Sequence, residues 1–328
     1  MDVKAKLKEM SAELDAPIRS YIADEAPSNL IDACRQYPYA GGKRMRPSMV
    51  VAASRAVGGD GQKAIPLAVA IEYIHNFTLI HDDLMDGDEK RRGMDTSHIV
   101  YGMPTAILAG DALFAKAYDI ITDLDVPSDV LRKIMKKVSV AVWDLARGQQ
   151  MDINNENSND VTMEDYIETI RLKTSVLFAA GAAGGALIGG ADDTVADRVH
   201  EYAMNLGVAF QMFDDILGIY GDPEITGKSA GNDIRKGKST VMVCHARENI
   251  RDKDTWSRFM SIFGKMDATD EEIEVVRSIL KESGSYDYAI EMAKKYTEDS
   301  IACLDCLEDS EDKEFMIALA EYSMSRDV

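Results

Sequence analysis

The sequence predicts an all-α protein, folded as a single-domain helical bundle over residues 1–328. Three observations carry that expectation. Apolar residues recur at helical spacing along most of the chain, and alternating strand patterns are nearly absent. Only eight prolines interrupt its 328 residues. Paired glycines and polar clusters punctuate the apolar segments, with no repeat of fixed period and no clear linker. Helices of this kind bury their apolar stripes against one another.

In chain order, residues 3–23 read as an amphipathic helix, interrupted or kinked near Pro17. Residues 29–36 form a short helix and 37–47 a loop. The next helix reaches Val57 and stops at Gly58-Gly59. Residues 63–86 make a longer helix, and 87–103 a charged turn and loop. Helices follow over 105–122 and 128–149, then a polar loop over 154–160. Thr162 and Asp165 make a capping-box-like start, with Asp in place of the usual Glu. The helix after it continues to Gly189-Gly190, and another spans 194–220. Residues 221–237 are a polar, glycine-bearing loop. The remainder is helical, with a second capping box at Thr269 and Glu272.

Composition excludes several functions. Hydrophobic residues make up 46% of the chain, which suits a packed core rather than disorder. The net charge of −20 argues against a nucleic-acid or anionic-membrane surface, where basic patches are expected. It also sets off three local basic clusters, at residues 43–46, 90–92 and 235–238, to which anionic ligands would be drawn. Of the four cysteines, Cys303 and Cys306 have CxxC spacing, yet no second pair or nearby His completes a zinc site. Free thiols in a reducing, cytoplasmic compartment are expected. The start, MDVKAKLKEM, is charged and lacks the apolar core of a signal peptide. The apolar stretch 176–191 is short for a membrane span and rich in Ala and Gly. It reads as a buried helix that others approach closely.

The chemistry centres on residues 72–93, EYIHNFTLIHDDLMDGDEKRRG. Asp82 and Asp86 are four apart, so on a helix their carboxylates stack on one face. His75 lies two turns earlier, close to that face. Like charges so placed need compensation, and Mg²⁺ takes one or two carboxylates together with substrate phosphates. Arg91 and Arg92 follow, and guanidinium forks suit phosphate. Two stretches echo this one. FQMFDDILGIYGD again ends an apolar helix with an acidic pair, Asp214 and Asp215. GGKRMRP sets Lys43, Arg44 and Arg46 after a Gly-Gly turn. Two acidic clusters on separate helices could face each other across a cavity, with a diphosphate carried by Mg²⁺ between them and a second diphosphate in the basic loop.

With these motifs the sequence resembles the trans-isoprenyl diphosphate synthases, the polyprenyl synthetase family, over nearly its whole length. GGKRMRP is similar to the family's isopentenyl diphosphate loop, and IHDDLMDGDEKRRG to its first aspartate-rich motif. RGQQMD resembles the GQxxD segment, with Gln149 and Asp152, and RLKTSVLF carries the Lys-Thr pair. FQMFDDILG resembles the second aspartate motif, and GKSAGNDIRKGKST the lysine loop after it. The resemblance implies the isoprenoid synthase fold, long and mostly antiparallel helices around a central cavity. It implies that Lys43, Arg46, His75 and Arg92 hold isopentenyl diphosphate. Asp82 and Asp86 would bind two Mg²⁺, with Asp214 holding a third. Arg91, Lys173, Lys228 and Lys238 would contact the allylic diphosphate. Thr174 and Gln211 would line the reacting carbon. One departure stands out: Gly218 occupies the place where the second motif often ends in Asp, and Asp222, eight residues after Asp214, is the candidate to compensate.

The implied reaction is 1′-4 prenyl transfer from an allylic diphosphate to isopentenyl diphosphate, with ionisation, condensation and proton loss, in a homodimer whose interface draws on residues 105–150. Phe77 and Thr78, five and four residues before Asp82, are the expected chain-length residues. One aromatic, a small neighbour and no insertion within DDxxD resemble the archaeal-type geranylgeranyl diphosphate synthases, so a C20 product is expected over C15 or C25. On a helical wheel Thr78 lies about 40° from Asp82 and Phe77 about 140° away, on the flank, with Ile74 at about 80°. A class I terpene cyclase would not need GGKRMRP or Arg92. A non-catalytic partner subunit would tend to lose the aspartates.

Overall fold

Long apolar-striped segments become helices, and the paired glycines fall between them. The computed structural model describes residues 1–156, 158, 160–221 and 231–324. Its helices begin with α1 Val3–Ser20, α2 Ser28–Tyr39, α3 Met45–Ala56, α4 Ile65–Asp86, α5 Ser97–Tyr101 and α6 Met103–Thr122. They continue with α7 Ser128–Glu156, α8 Met163–Ile170, α9 Val176–Ile188, α10 Asp193–Tyr220 and α11 Asn232–Arg235. Residues 241–324 carry five more. Among the described residues the only strands are β1 Lys90–Arg91 and β2 Met94–Asp95, an antiparallel hairpin with Lys90 opposite Asp95. The all-α expectation therefore holds.

The described chain forms two compact units. The first comprises Met1–Val142, Leu177–His200 and Cys306–Ala318. Its core holds α4 side chains such as Leu67, Ile71 and Ile74, all fully buried. The Ala- and Gly-rich α9 packs there as its composition suggests. A Cβ on Gly185 would fall 2.1 Å from the Val50 carbonyl oxygen, and one on Gly184 2.6 Å from Leu67 Cδ2. No helix of the described residues is long and apolar enough to cross a membrane. Helix α4 ends at Gly87, whose left-handed backbone (φ 67°) lets its N–H bond the Asp83 carbonyl. The carboxylates of the DDxxD stretch thus occupy the last turn.

The second unit comprises Trp143–Val176, Glu201–Asp305 and Leu319–Val328. Its core gathers Phe213, Ile216 and Ile219 of α10 with Val241, Phe259, Val276 and Leu280. Both capping boxes form, at Thr162/Asp165 and Thr269/Glu272.

Three local expectations need correction. The segment 37–47 is only partly a loop: α2 runs to Tyr39, with Pro38 in its last turn, and α3 starts at Met45. The segment 87–103 contains the β1–β2 hairpin and α5. Its turn residues Arg92 (φ 52°) and Gly93 (φ 79°) both have positive φ, as a two-residue primed turn requires. An arginine does not advertise that turn. Last, the helix expected to run unbroken to Gly189 is interrupted by a π turn over Arg171–Ser175. Glycines receive this bulge on two sides. A Cβ on Gly148 of α7 would lie 2.3 Å from the Lys173 backbone nitrogen, and one on Gly207 of α10 2.6 Å from the Ser175 Cα. The RGQQMD glycine is there so that the π turn can come this close.

Candidate active-site clusters

In the first unit the basic loop, α4 and the hairpin build one cluster. The loop turns through Gly41, Gly42 and Arg44, all with positive φ. Arg44 points inward, is 5% exposed, and forms an ion pair with the equally buried Glu72 while also donating to the Pro38 carbonyl. Asn76 Nδ2 donates to the same Glu72 carboxylate at 3.0 Å. A charge this deep persists only when paired and hydrogen-bonded, so this pair ties the loop to α4. Lys43 is exposed and Arg46 half-buried. Arg46 stacks over the Phe178 ring at 4.3 Å, and its Nη1 approaches His75 Nε2 at 3.3 Å. Burial, and then the positive field of Arg46, Arg92, Arg91 and Arg44, hold His75 well below its ordinary pKa. It is therefore neutral and accepts from Arg46. The hairpin carries Arg92 back to the loop, where Nη1 donates to the Gly41 carbonyl at 2.7 Å. A Cβ on Gly42 would meet that guanidinium at 2.9 Å. Arg46 and His75 thus meet, and Arg92 reaches the loop that carries Lys43.

The acidic residues next to them divide into two kinds. Asp82 is half-buried and Asp86 exposed, one turn apart at the end of α4. Asp83 is 1% exposed and accepts from the Tyr37 hydroxyl and from Arg91 Nε at 2.7 Å. Arg91, expected on a diphosphate, is engaged by Asp83 here; burial works against its charge, and the Asp83 hydrogen bond and field, with Asp82 adding to them, outweigh burial and raise its pKa. Phe77 is half-buried, its ring 5.4 Å from Phe114 of α6 and edge-on to His81 at 5.3 Å. That is the flank position of the helical wheel. Thr78 is also half-buried and donates to the His75 carbonyl at 2.8 Å.

The second unit repeats the division. Asp214 is half-buried, whereas Asp215 is 1% exposed and saturated. Asp215 accepts from Lys238 Nζ at 2.7 Å, the Tyr166 hydroxyl at 2.8 Å and Gln211 Nε2 at 3.1 Å. In each acidic pair the second aspartate is therefore a buried anchor, held by one tyrosine and one cation from the loop beyond the helix. Burial alone would lower the Lys238 ammonium; Asp215 and Asp233 outweigh it and raise it. Burial, then Asp215, likewise raises the Tyr166 phenol. Thr174 donates to Gln211 Oε1 at 3.1 Å, and Lys173 Nζ meets Asp152 at 2.6 Å. These residues line an open pocket of about 140 Å³, which Lys173, Thr174, Gln211 and Lys238 share with Asp152 and Tyr166. Lys228 and Asp222 lie outside the described residues. Gln149 is half-buried on α7.

The sequence reading missed Tyr37, Tyr166, Glu72 and Gly148. Glu72 and Gly148 were signalled, as a lone acid in an apolar helix and a glycine within a helical pattern. Nothing local marks the tyrosines.

The donor set suits magnesium. Asp82, Asp86 and Asp214 offer hard carboxylate oxygen. Among the described residues no group of three or more His, Cys, Asp or Glu converges to hold a metal by itself. Mg²⁺ keeps water and shares one or two carboxylates with substrate phosphates.

An all-α chain with acidic helix ends, arginine-bearing turns and a lysine-lined pocket is of a class built to handle diphosphates. The polyprenyl synthetase family model matches residues 28–280, running through both units, and the chain belongs to that family. The geranylgeranyl diphosphate synthase of Methanosarcina mazei is 40% identical over 327 residues, covering 100% of this chain and 99% of that one. The geranylfarnesyl diphosphate synthase of Aeropyrum pernix is 39% identical, covering 92% and 95%. Among solved structures, the Pyrococcus horikoshii geranylgeranyl pyrophosphate synthetase superposes with a TM-score of 0.94 at 39% identity, over 99% of each chain. The Corynebacterium glutamicum geranylgeranyl pyrophosphate synthase, complexed with isoprenyl diphosphate and magnesium, matches with a TM-score of 0.84 at 27% identity, over 99% of each chain.

Proposed function

We propose that this protein is a Mg²⁺-dependent trans-prenyltransferase that condenses isopentenyl diphosphate with dimethylallyl, geranyl and farnesyl diphosphates to make geranylgeranyl diphosphate. The observation that carries the reading is the division of both acidic pairs. Asp83 and Asp215 are buried and bound inside the protein, whereas Asp82, Asp86 and Asp214 are more exposed at their helix ends; Asp82 and Asp86 would hold two ions and Asp214 a third. The C. glutamicum relative with its magnesium and isoprenyl diphosphate supports it.

Bound Mg²⁺ would neutralise the allylic diphosphate and make it a better leaving group. Lys173, Lys238 and Lys228 would take charge on the departing diphosphate, which electrostatic stabilisation of this kind rewards. Arg91 would serve there while braced by Asp83. Arg46, Lys43 and Arg92 would bind the diphosphate of the acceptor, and a neutral His75 would add a hydrogen bond without a second charge. The paired Thr174 hydroxyl and Gln211 amide carry oxygens suited to an electron-poor allylic carbon. The residue set contains no evident base, so the leaving diphosphate would take the proton lost from the acceptor.

Phe77, pressed against Phe114, would limit the product at C20. The protein would act in the cytoplasm as a homodimer. No disulfide joins its cysteines, and exposed apolar residues of α5 and α6, Ile99, Val100, Met103 and Leu108, supply a face for a second copy. Purified protein incubated with Mg²⁺, isopentenyl diphosphate and each allylic primer should give a C20 product by chromatography. Asp82→Ala should lower turnover by orders of magnitude while the protein stays folded. Near-normal turnover in that variant, or a main product of C15 or C25, would overturn the corresponding part of the proposal.

A further inference from the structure

One segment of the second unit belongs to neither acidic pair, yet it holds the turn that carries Lys238. Asp252 caps the helix Lys253–Met260 by accepting from the Thr255 backbone N–H. From that helix and the turn after it, Trp256, Phe259 and Phe263 stack in series, with ring centroids 5.1 and 5.3 Å apart. Phe259 is fully buried. Aromatic rings bury much apolar surface, so the stack fixes this turn on the core of the unit. The residue that follows it is Gly264.

Gly264 meets the end of α11 backbone to backbone. Its N–H donates to the Ile234 carbonyl at 2.9 Å, and the Gly237 N–H donates to the same carbonyl at 3.1 Å. A carbonyl has two lone pairs, so α11 is closed once by its own turn and once by the remote one. Both glycines have left-handed backbone, φ 68° at Gly237 and 81° at Gly264. A Cβ on Gly237 would fall 3.1 Å from the Gly264 Cα, whereas one on Gly264 would meet nothing nearer than the Gly237 Cα at 3.9 Å. Gly237 thus serves close approach, and Gly264 serves conformation. Arg235 adds a second tie to the same segment, Nε to the Ala268 carbonyl at 3.0 Å and Nη2 to Asp270 at 2.9 Å. Lys238 follows directly. Its N–H bonds the Asp233 carbonyl at 2.9 Å, its Nζ reaches Asp215 at 2.7 Å, and it lines the pocket.

We infer that Gly264 is a positioning residue for Lys238: its N–H and its left-handed backbone hold the turn from which the ammonium is aimed into the pocket. The inference rests on the reading of Lys238 as a contact of the allylic diphosphate. A functional group keeps its aim only when the backbone beneath it is held, and here the hold comes from a turn 26 residues further along the chain. A residue that cannot keep φ at 81° would withdraw its N–H from Ile234 and let the Lys238 turn shift. The residues assigned to isopentenyl diphosphate, Lys43, Arg46, His75 and Arg92, belong to the first unit, so the effect should fall on the allylic substrate.

The test is steady-state kinetics on the full-length protein with Mg²⁺, isopentenyl diphosphate and geranyl diphosphate, with thermal melts recording folding. Gly264→Val puts a β-branched residue at positive φ, which such residues do not tolerate. It should lower kcat/KM for geranyl diphosphate about 10- to 100-fold, the cost of a misplacement approaching 1 Å, and leave KM for isopentenyl diphosphate unchanged. Gly264→Asn accepts left-handed backbone and should stay close to the parent. In a Lys238→Ala background the Val substitution should lose its effect on geranyl diphosphate, because the group it displaces is gone. A purely structural glycine would lower the melting temperature and act equally in both backgrounds. The inference is overturned if folded Gly264→Val matches the parent, if Gly264→Asn is no better than Gly264→Val, or if the loss persists undiminished in Lys238→Ala. Should Gly264→Val fail to fold, Gly264→Ala, whose Cβ has room, carries the same comparison. Lys238→Ala alone separates the two claims. If it is impaired while Gly264→Val is normal, only the inference falls. If Lys238→Ala turns over like the parent, the reading of Lys238 falls with it.

Discussion

Gly148→Ala sets two physical effects against each other. Gly148 lies within α7, and in an exposed helix Ala would stabilise by about 0.5–1 kcal/mol relative to Gly. Here the added Cβ would sit 2.3 Å from the Lys173 backbone nitrogen and 2.7 Å from the Leu172 carbonyl carbon. Ordinary contact begins near 3.4 Å, so the π turn must retreat by about 1 Å. The obstacle is backbone, which cannot rotate aside. Overpacking of this kind costs about 1–3 kcal/mol, and the displacement falls in the upper part of that range. Subtracting the helix term leaves a net loss of about 1–2 kcal/mol. The same retreat moves Lys173 and Thr174, and a misplacement of about 1 Å can lower turnover on the order of 100-fold. Chemical denaturation and steady-state kinetics on the parent and variant measure both effects. A variant that is more stable and turns over normally would refute the account, because helix propensity alone would then have decided the outcome.

Other variants probe the remaining supports. Glu72→Gln leaves Arg44 charged and buried without its counter-charge, so about 3–5 kcal/mol of stability should be lost by urea denaturation. An unchanged midpoint would mean the basic loop is tied elsewhere. His75 supplies a pH signature. Its folded pKa is depressed, so its contribution is present above the unfolded value near 6.5 and lost as pH falls. Between pH 6.5 and 5.5 the unfolded chain takes up a proton that folded His75 refuses, which removes about 1 kcal/mol. Relative to the parent, His75→Gln should flatten the stability–pH curve in that window, and parallel curves would count against a buried neutral imidazole. Phe77→Ala removes the ring that meets Phe114 and should shift products beyond C20; an unaltered chromatogram would place the floor at other residues.

How much of this was written in the sequence depends on the range of the forces involved. Helical periodicity and the two capping boxes are local, and both boxes form where Thr162 and Thr269 predict them. The close approach of α9 was legible because Ala and Gly can serve little else in so apolar a segment. The acidic pairs were found at once, yet nothing in the letters DD tells which carboxylate is buried. That is decided by Tyr37 and Tyr166, which lie 46 and 49 residues from their partners. The π turn was invisible for the same reason. It depends on two glycines, Gly148 and Gly207, each on a helix remote in sequence. The hairpin at 90–95 was missed because its turn puts an arginine, not Asn or Asp, at a left-handed position.

The buried member of each acidic pair has an evolutionary corollary. Asp83 and Asp215 are answerable to stability, since each neutralises a cation and satisfies a phenol inside the protein. On the proposed reading, Asp82, Asp86 and Asp214 would be answerable to turnover. A descendant of this chain that abandoned catalysis and survived as a regulatory subunit would be free to discard the second group and would be bound to retain the first. In such a lineage the doubled aspartate would decay from one side only, and the surviving letter would record the fold rather than the chemistry.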